Sequence, residues 1–375
     1  MADDLVSFHE RVMSGSDRSL AVQALRGALA AVEPFYAGVM RARNFAYDRG
    51  IKRTHALPRP AVAVGNLTTG GTGKTPVVRW LAEQFANHRL LPAILMRGYR
   101  STETAGSDEQ RMLAQHLQNR ALVIANPDRL ASAHLAMHND PQPDVFVLDD
   151  AFQHRRVRRD FNLLLISATN PFGFGHVLPR GLLREPLKEM ARADAILITR
   201  QDQVAPSEIS HLKFQIRSYT SAPIYQSAHV ITHLVSNQRT ATLAELSSES
   251  LYLFSGIANP SSFFANFPSR VGTMPFPDHH AYSAQDLAKV REDAAKLGAS
   301  LLVTTEKDFA KLASLPNVNE GLPIYRAQLQ IRFEADDAQK LWTQIVTTLP
   351  GLASLAASPV AEAPASATSA QRAQP

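Results

Sequence analysis

A short apolar run, Ala61-Val62-Ala63-Val64, leads into Gly65-Asn66-Leu67-Thr68-Thr69-Gly70-Gly71-Thr72-Gly73-Lys74-Thr75-Pro76. An amphipathic stretch follows, Val77-Val78-Arg79-Trp80-Leu81-Ala82-Glu83-Gln84-Phe85. The succession predicts strand, loop and helix. Gly70, Gly71 and Gly73 let the backbone curl so that successive N–H groups converge on one concavity. The helix adds the positive end of its dipole. Lys74 reaches terminal phosphates, and the Thr75 hydroxyl suits Mg²⁺. The arrangement is a cradle for a nucleoside triphosphate, to which Thr68, Gly70, Gly71, Thr72, Gly73, Lys74, Thr75 and Pro76 are assigned. The strict pattern has glycine where Thr68 stands.

The runs Leu91 to Met96, Ala121 to Ala125, Val145 to Leu148, Leu163 to Ile166 and Ala195 to Ile198 are apolar throughout and alternate with helical patterns. Strands apolar on both faces predict a parallel sheet covered on both sides, with ligands beyond its carboxyl ends. The predicted fold is α/β, a P-loop NTPase-like parallel sheet with a second, smaller α/β domain. Residues 1–55 read as an N-terminal helical segment and 56–235 as the phosphate-loop domain. Residues 236–335 read as the smaller domain, joined through the extended segments Ile224 to Val235 and Ile324 to Phe333. A terminal helix over 336–350 and a disordered Ala/Ser/Pro-rich tail over 351–375 complete the chain.

The 375 residues contain no cysteine, which excludes disulfide frameworks and thiol chemistry. A formal charge of +5 suits acidic company: phosphates, nucleic acid or an anionic membrane. No run approaches the roughly 20 apolar residues of a membrane span, and no secretory signal pattern opens the chain. Residues 16–40 read as a helix that Pro34 kinks or restarts. Arg41, Arg43, Arg49, Lys52 and Arg53 follow, interleaved with Phe45 and Tyr47. Such a mixture suits either an interfacial membrane helix or an ordinary helix with a solvated basic edge.

Asp149 and Asp150 end an apolar strand, where a nucleotide enzyme places a carboxylate on Mg²⁺ or its water. Either residue also suits a turn cap. Gln153 and His154 lie within one turn of them and could face the same site, with a structural histidine as the alternative reading. The basic run Arg155, Arg156, Arg158 and Arg159 reads as a solvated face or as an anion site. Arg184 and Arg180 are candidates to bind phosphate, with Glu185 orienting one of them; a plain surface salt bridge is the alternative. Phosphoryl transfer to a sugar hydroxyl needs a group that accepts its proton. Asp108 is the candidate base, and His279 from the smaller domain its partner across a closing cleft.

The ordered set of motifs resembles the tetraacyldisaccharide 4′-kinase family. The set comprises the loop from Val64 to Pro76, Arg97-Gly98-Tyr99, Ser107-Asp108-Glu109, Asp149 to Arg155, Leu178-Pro179 with Leu183-Arg184-Glu185-Pro186, Phe276-Pro277-Asp278-His279-His280, and Thr304-Thr305-Glu306-Lys307-Asp308. The family also carries threonine at the position of Thr68. The resemblance covers roughly residues 30–340. It implies an ATP- and Mg²⁺-dependent kinase that phosphorylates the 4′-hydroxyl of a tetraacylated glucosamine disaccharide 1-phosphate, giving lipid IVA. It also implies a peripheral enzyme on the cytoplasmic face of the inner membrane, held by its N-terminal helix, with no nucleic acid and no obligate protein partner. By the same resemblance Thr75, Asp149 and Asp150 would hold the metal, Gln153 and His154 would lie at the nucleotide and metal, Asp108 and His279 would catalyse, and Arg97, Arg184 and Glu185 would meet substrate or phosphate. The chain departs from the family at Ser107, Gln110 and Ala151; alanine in place of glycine at 151 is harmless only where φ is negative.

A switch or metallochaperone ATPase is the competing reading, since it uses the same acidic and basic groups. It has no need of a second domain that supplies His279. A nucleic-acid-dependent ATPase would need aromatic stacking platforms, and none accompanies Arg155 to Arg159.

Overall fold

The structure is a computed structural model that describes residues 11–98, 108–237, 239–257, 260–278, 280–313, 315, 317–357 and 359–360. Of Asp108 it describes the backbone alone, and His279 lies outside the described residues. An N-terminal helix, α1 (Leu20–Asp48), precedes the alternating units. These are β1 (Ala61–Asn66), α2 (Lys74–Asn87), β2 (Pro92–Met96), α3 (Asp108–Leu117), β3 (Leu122–Ala125), α4 (Arg129–Ala136), β4 (Val145–Asp149), β5 (Phe161–Ser167), β6 (Ala195–Thr199) and α5 (Pro206–Arg217). The two extended segments predicted after Arg200 are β7 (Ile224–Val235) and β12 (Ile324–Phe333). Between them come β8 (Thr240–Thr242), β9 (Leu251–Ser255), α6 (Pro260–Phe264), β10 (Gly272–Pro275), α7 (Ala284–Lys296), β11 (Leu301–Thr305) and α8 (Glu306–Leu312), and α9 (Asp337–Thr348) follows β12.

All strands join one sheet in the order β10-β9-β11-β12-β7-β6-β5-β1-β4-β2-β3, with β8 on β7. Strands β1 to β6 pair in parallel. Every residue of β1, β2, β4 and β6 is buried, as strands covered on both faces require. Along β1 the side chains alternate. Val62 and Val64 join the core of Leu81, Phe85 and Trp342, while Ala61 and Ala63 pack with Phe146 and Leu148 on the opposite face.

Register along β7 and β12 sets the geometry of everything else. The start of β7 (Ile224 to Gln226) pairs in parallel with β6. The start of β12 (Ile324 to Ala327) pairs in parallel with β11. The two long strands are antiparallel, with Arg326 opposite Val235 and Phe333 opposite Ser227. The parallel strands therefore attach at opposite ends of the ribbon and run toward its middle. The carboxyl edges of both sets of strands face one another, which is where ligands of parallel sheets bind. Helices α3 and α8 meet across this gap: Nε2 of His116 lies 2.7 Å from Glu306, and Lys307 lies 3.1 Å from Glu109.

Two expectations fail. Helix α1 runs through Pro34 to Asp48. Pro34 is exposed, and the turns around it are pinned from the inner side: Glu33 accepts from the Val177 N–H at 3.1 Å, and the Tyr36 hydroxyl donates to the Arg184 carbonyl at 3.0 Å. Disorder is expected over 351–375, yet the described start of that segment is structured; residues 358 and 361–375 lie outside the described residues. Ala353–Ala357 form a 3₁₀ turn, with Leu352, Leu355 and Val360 packed on the main core. Apolar residues spaced along an alanine-rich segment were enough to dock it.

Gly65 is the point where β1 meets the segment after β4. A Cβ there would stand 2.7 Å from the backbone nitrogen and from the Cβ of Phe152. Gly65→Ala should force the 151–154 segment away, lower stability by about 1–3 kcal/mol, and shift denaturant midpoints without changing their slopes.

Candidate active site

The site begins where β1 stops. Gly73 takes φ 79°, a left-handed conformation that turns the chain into α2. Asn66, the last residue of β1, organises the loop. Its amide donates to the Thr68 carbonyl at 2.8 Å, and its Oδ1 accepts from Lys74 Nζ at 3.0 Å. Lys74 also lies 3.4 Å from Asp150. Arg184 forks onto both oxygens of Asp150 at 2.9 and 3.0 Å, donates to the Thr68 carbonyl at 3.1 Å, and donates to Asn66 as well. Backbone bonds lay the Arg184 segment against the loop: Thr69 N–H donates to the Leu182 carbonyl, and Arg184 N–H to the Leu67 carbonyl, each at 2.7 Å. The Gln153 amide donates to the Asn66 carbonyl at 2.9 Å.

Neighbouring aspartates have opposite electrostatics. Burial pushes Asp149 up to about 6, against the pull of Lys74. Burial also acts on Asp150, but Lys74 and the Arg184 fork outweigh it and hold the group at about 2. Oδ1 of Asp149 is buried with no hydrogen-bond partner, and so is the Thr72 hydroxyl. Arg129 fixes the turn from beneath by donating to the Asp149 carbonyl at 2.9 Å. The left-handed residue of this turn is Asp150, at φ 50°; Ala151 is not among the positive-φ residues, so alanine there is unstrained. Burial drives His154 down to about 4, reinforced by Arg129 and Arg159, so the imidazole is neutral at pH 7.

The structure thus brings together Thr68, Gly70, Gly71, Thr72, Gly73, Lys74, Thr75, Pro76, Asp149, Asp150, Gln153, His154 and Arg184 at the carboxyl ends of β1 and β4. Arg97 follows β2 at the same edge and is exposed. Glu185 faces inward. It is fully buried and held by Asn44 at 3.1 Å, by Arg192, and by Arg43 at 3.7 Å. The basic run is largely spoken for. Arg155 pairs with Asp48, Arg156 with Asp128 at 3.1 Å, and Arg159 with Asn162 and the carbonyl of His154. Among the described residues, no group of three or more His, Asp or Glu is placed to hold a metal alone. Asp108 opens α3, but its side chain, like His279, lies outside what the structure describes.

Asn66, Arg129, Arg43 and Asn44 escaped the sequence reading as site residues. Only Asn66 had a local signal, as the polar end of an apolar strand just before the loop. Arg200 and His229, which flank the loop from β6 and β7, were missed as well.

A parallel sheet, a glycine loop opening a helix, and a lysine and two aspartates at the strand ends define a P-loop NTPase-like phosphotransferase. The chain matches the family described as Tetraacyldisaccharide-1-P 4'-kinase over residues 25–349. It is 34% identical over 350 residues to the tetraacyldisaccharide 4'-kinase of Geobacter sulfurreducens, covering 87% of this chain and 94% of that one. It is 35% identical over 356 residues to the enzyme of that name from Desulfatibacillum aliphaticivorans, covering 88% and 94%. A crystal structure of LpxK from Aquifex aeolicus in complex with ATP superposes with a TM-score of 0.69 at 28% identity, covering 86% of this chain and 99% of that one. This chain belongs to the tetraacyldisaccharide 4'-kinase family.

Behind the loop, burial and the nearby Arg200 charge lower His229 to about 4. The unfolded group titrates near 6.5, so between about 6.5 and 4 the unfolded chain binds the extra proton. This contribution to stability is intact above that window and is lost as pH falls through it. Melting temperatures of the wild type should drop more between pH 7 and 4.5 than those of His229→Gln, measured by scanning calorimetry.

Proposed function

We propose that this chain transfers the γ-phosphoryl group of ATP to the 4′-hydroxyl of a tetraacyldisaccharide 1-phosphate, giving lipid IVA. The observation that carries the reading is the web of Asn66, Lys74, Asp150 and Arg184 around the glycine loop. Two cations held by one carboxylate beside converging N–H groups form an anion site with its charge already arranged. Lys74 and Arg184 take the phosphates, at positions their bonds to Asp150 and Asn66 fix beforehand. Mg²⁺ fits here, because the partnerless buried Oδ1 of Asp149 offers a hard oxygen. Thr75, Asp149 and Asp150 would hold the ion, with phosphate oxygens completing the shell, and it would neutralise charge developing on the phosphates. Asp108 accepts the proton of the 4′-hydroxyl as its oxygen bonds to the γ-phosphorus, the bond to the β,γ-bridging oxygen breaks, and ADP departs. His279 orients that carboxylate from the facing lobe. Arg97 guides substrate at the rim, and Glu185 serves by holding the Arg184 segment through Arg192, Arg43 and Asn44. Incubation with ATP and the acylated disaccharide phosphate should add the mass of one phosphate. Asp108→Ala should lower kcat by about 100-fold or more with little change in KM; an effect confined to KM removes Asp108 from the proton transfer.

We further propose that α1 lies on the cytoplasmic face of the inner membrane. No helix of the described residues is long and apolar enough to cross a membrane. Val32, Phe35 and Val39 nevertheless project outward at helical spacing, exposed by 50, 77 and 62%. Exposed Arg41 and Arg49 border them. Apolar residues rimmed by arginines suit an anionic interface. Replacing Val32, Phe35 and Val39 together with serine should abolish co-sedimentation with phosphatidylglycerol vesicles and leave turnover of detergent-dispersed substrate within twofold.

A further inference from the structure

Arg200 follows β6 directly and adopts the left-handed conformation, φ 57° and ψ 34°, which a branched or long side chain rarely takes. Its height is fixed by the preceding residue, because the fully buried Thr199 hydroxyl donates to the Thr72 carbonyl of the loop at 2.9 Å. The Arg200 guanidinium is thereby carried onto the loop, with Nη2 3.8 Å from where a Cβ on Gly71 would stand. Burial disfavours its charge, and Asp202 is the one carboxylate that acts on it from nearby. The guanidinium forms no hydrogen bond or ion pair with any described residue. The other arginines around this site, Arg129, Arg155, Arg159, Arg184 and Arg192, all have protein partners.

The wall beside Arg200 is neutral. His229 is 7% exposed, and its ring fills the space over Gly73, with Cε1 1.9 Å from where a Cβ would be. Its Nε2 is buried and has no partner. A partly desolvated guanidinium, beside an unsatisfied imidazole and on a loop whose Gly73 admits no side chain, has among the described residues no counter-group of the kind such burial calls for.

We propose that Arg200 is a nucleotide-binding residue whose guanidinium stays unpaired until ATP occupies the loop and then closes on it. The inference rests on the nucleotide reading above. A guanidinium pairs with phosphate oxygens through its fork or stacks on a base through its plane, and both surfaces belong to the same ligand.

The test is calorimetric binding of ATP, ADP, AMP and adenosine to the full chain in the absence of lipid, with Arg200→Gln, Arg200→Lys and Lys74→Ala. Folding of each variant is checked by circular dichroism. Arg200→Gln should weaken ATP and ADP by tenfold or more, and Arg200→Lys by less, because the ammonium lacks the planar fork. Losses that vanish with adenosine place the contact on the phosphates; equal losses with adenosine place it on the base and sugar. Unchanged ATP and ADP affinity in folded Arg200→Gln overturns the assignment, and where that variant does not fold, unchanged affinity in Arg200→Lys does so. Should Lys74→Ala also leave both affinities unchanged, the nucleotide reading itself falls; if Lys74→Ala loses binding and the Arg200 variants do not, only the role of Arg200 falls.

Discussion

Antiparallel register between β7 and β12 is the constraint on which this molecule depends. Each long strand begins inside a different parallel sheet and ends beside the other. Had the two sheets joined the ribbon at the same end, their carboxyl edges would point in opposite directions, and no single ligand could meet both. With the observed register, the loop after β1 and the helix after β11 look into one gap. A slip of one residue would turn the buried Ala327 and Leu234 out of the core along with the whole pattern, so hydrophobic burial itself enforces the alignment.

The same ribbon brings the chemistry of β7 to the loop. His229 presses on Gly73 just after the stretch that pairs with β6. Thr199 and Arg200 arrive from the adjacent strand. The floor of the nucleotide cradle is thus β1 and β4, while its far wall is β6 and β7. Charge is distributed accordingly. Asp149 and Asp150 lie on the β4 side, and the β7 side carries an imidazole that burial keeps neutral beside one arginine.

Much of this was legible in the sequence, for definable reasons. Strands buried on both faces cannot hide their composition, and the glycine loop needs glycines in fixed places. Asp149, Asp150 and Lys74 stand together at strand ends as their sequence positions led one to expect, which is where such folds bind ligands. What escaped was orientation across distance. Arg43 reads as part of a basic membrane-facing cluster, yet it turns inward to Gln153 and Glu185. Glu185 reads as a substrate ligand, yet it is sealed among Arg192, Arg43 and Asn44. Arg200 and His229 stand in unremarkable stretches, and only the sheet order brings them to the loop. Pro34 shows the converse: a breaker by local rule, it is carried through because contacts on the inner face hold the turns on both sides.

Helix α1 joins the two proposed surfaces of the enzyme. Glu33, Tyr36, Ala37, Arg43 and Asn44 recur at helical spacing on its inner side, and they contact the loop and strand ends that carry Arg184 and Gln153. Val32, Phe35 and Val39 recur at the same spacing on its outer side and stand exposed. A helix with one face spent on the phosphate site has only the other to offer a lipid surface. If that face rests on a membrane, the depth of the helix sets the height of Arg184 above the lipids, since Tyr36 is hydrogen-bonded to its carbonyl. An acylated disaccharide whose chains stay in the bilayer would then present its sugar at a level fixed by the same helix, without leaving the membrane to be phosphorylated.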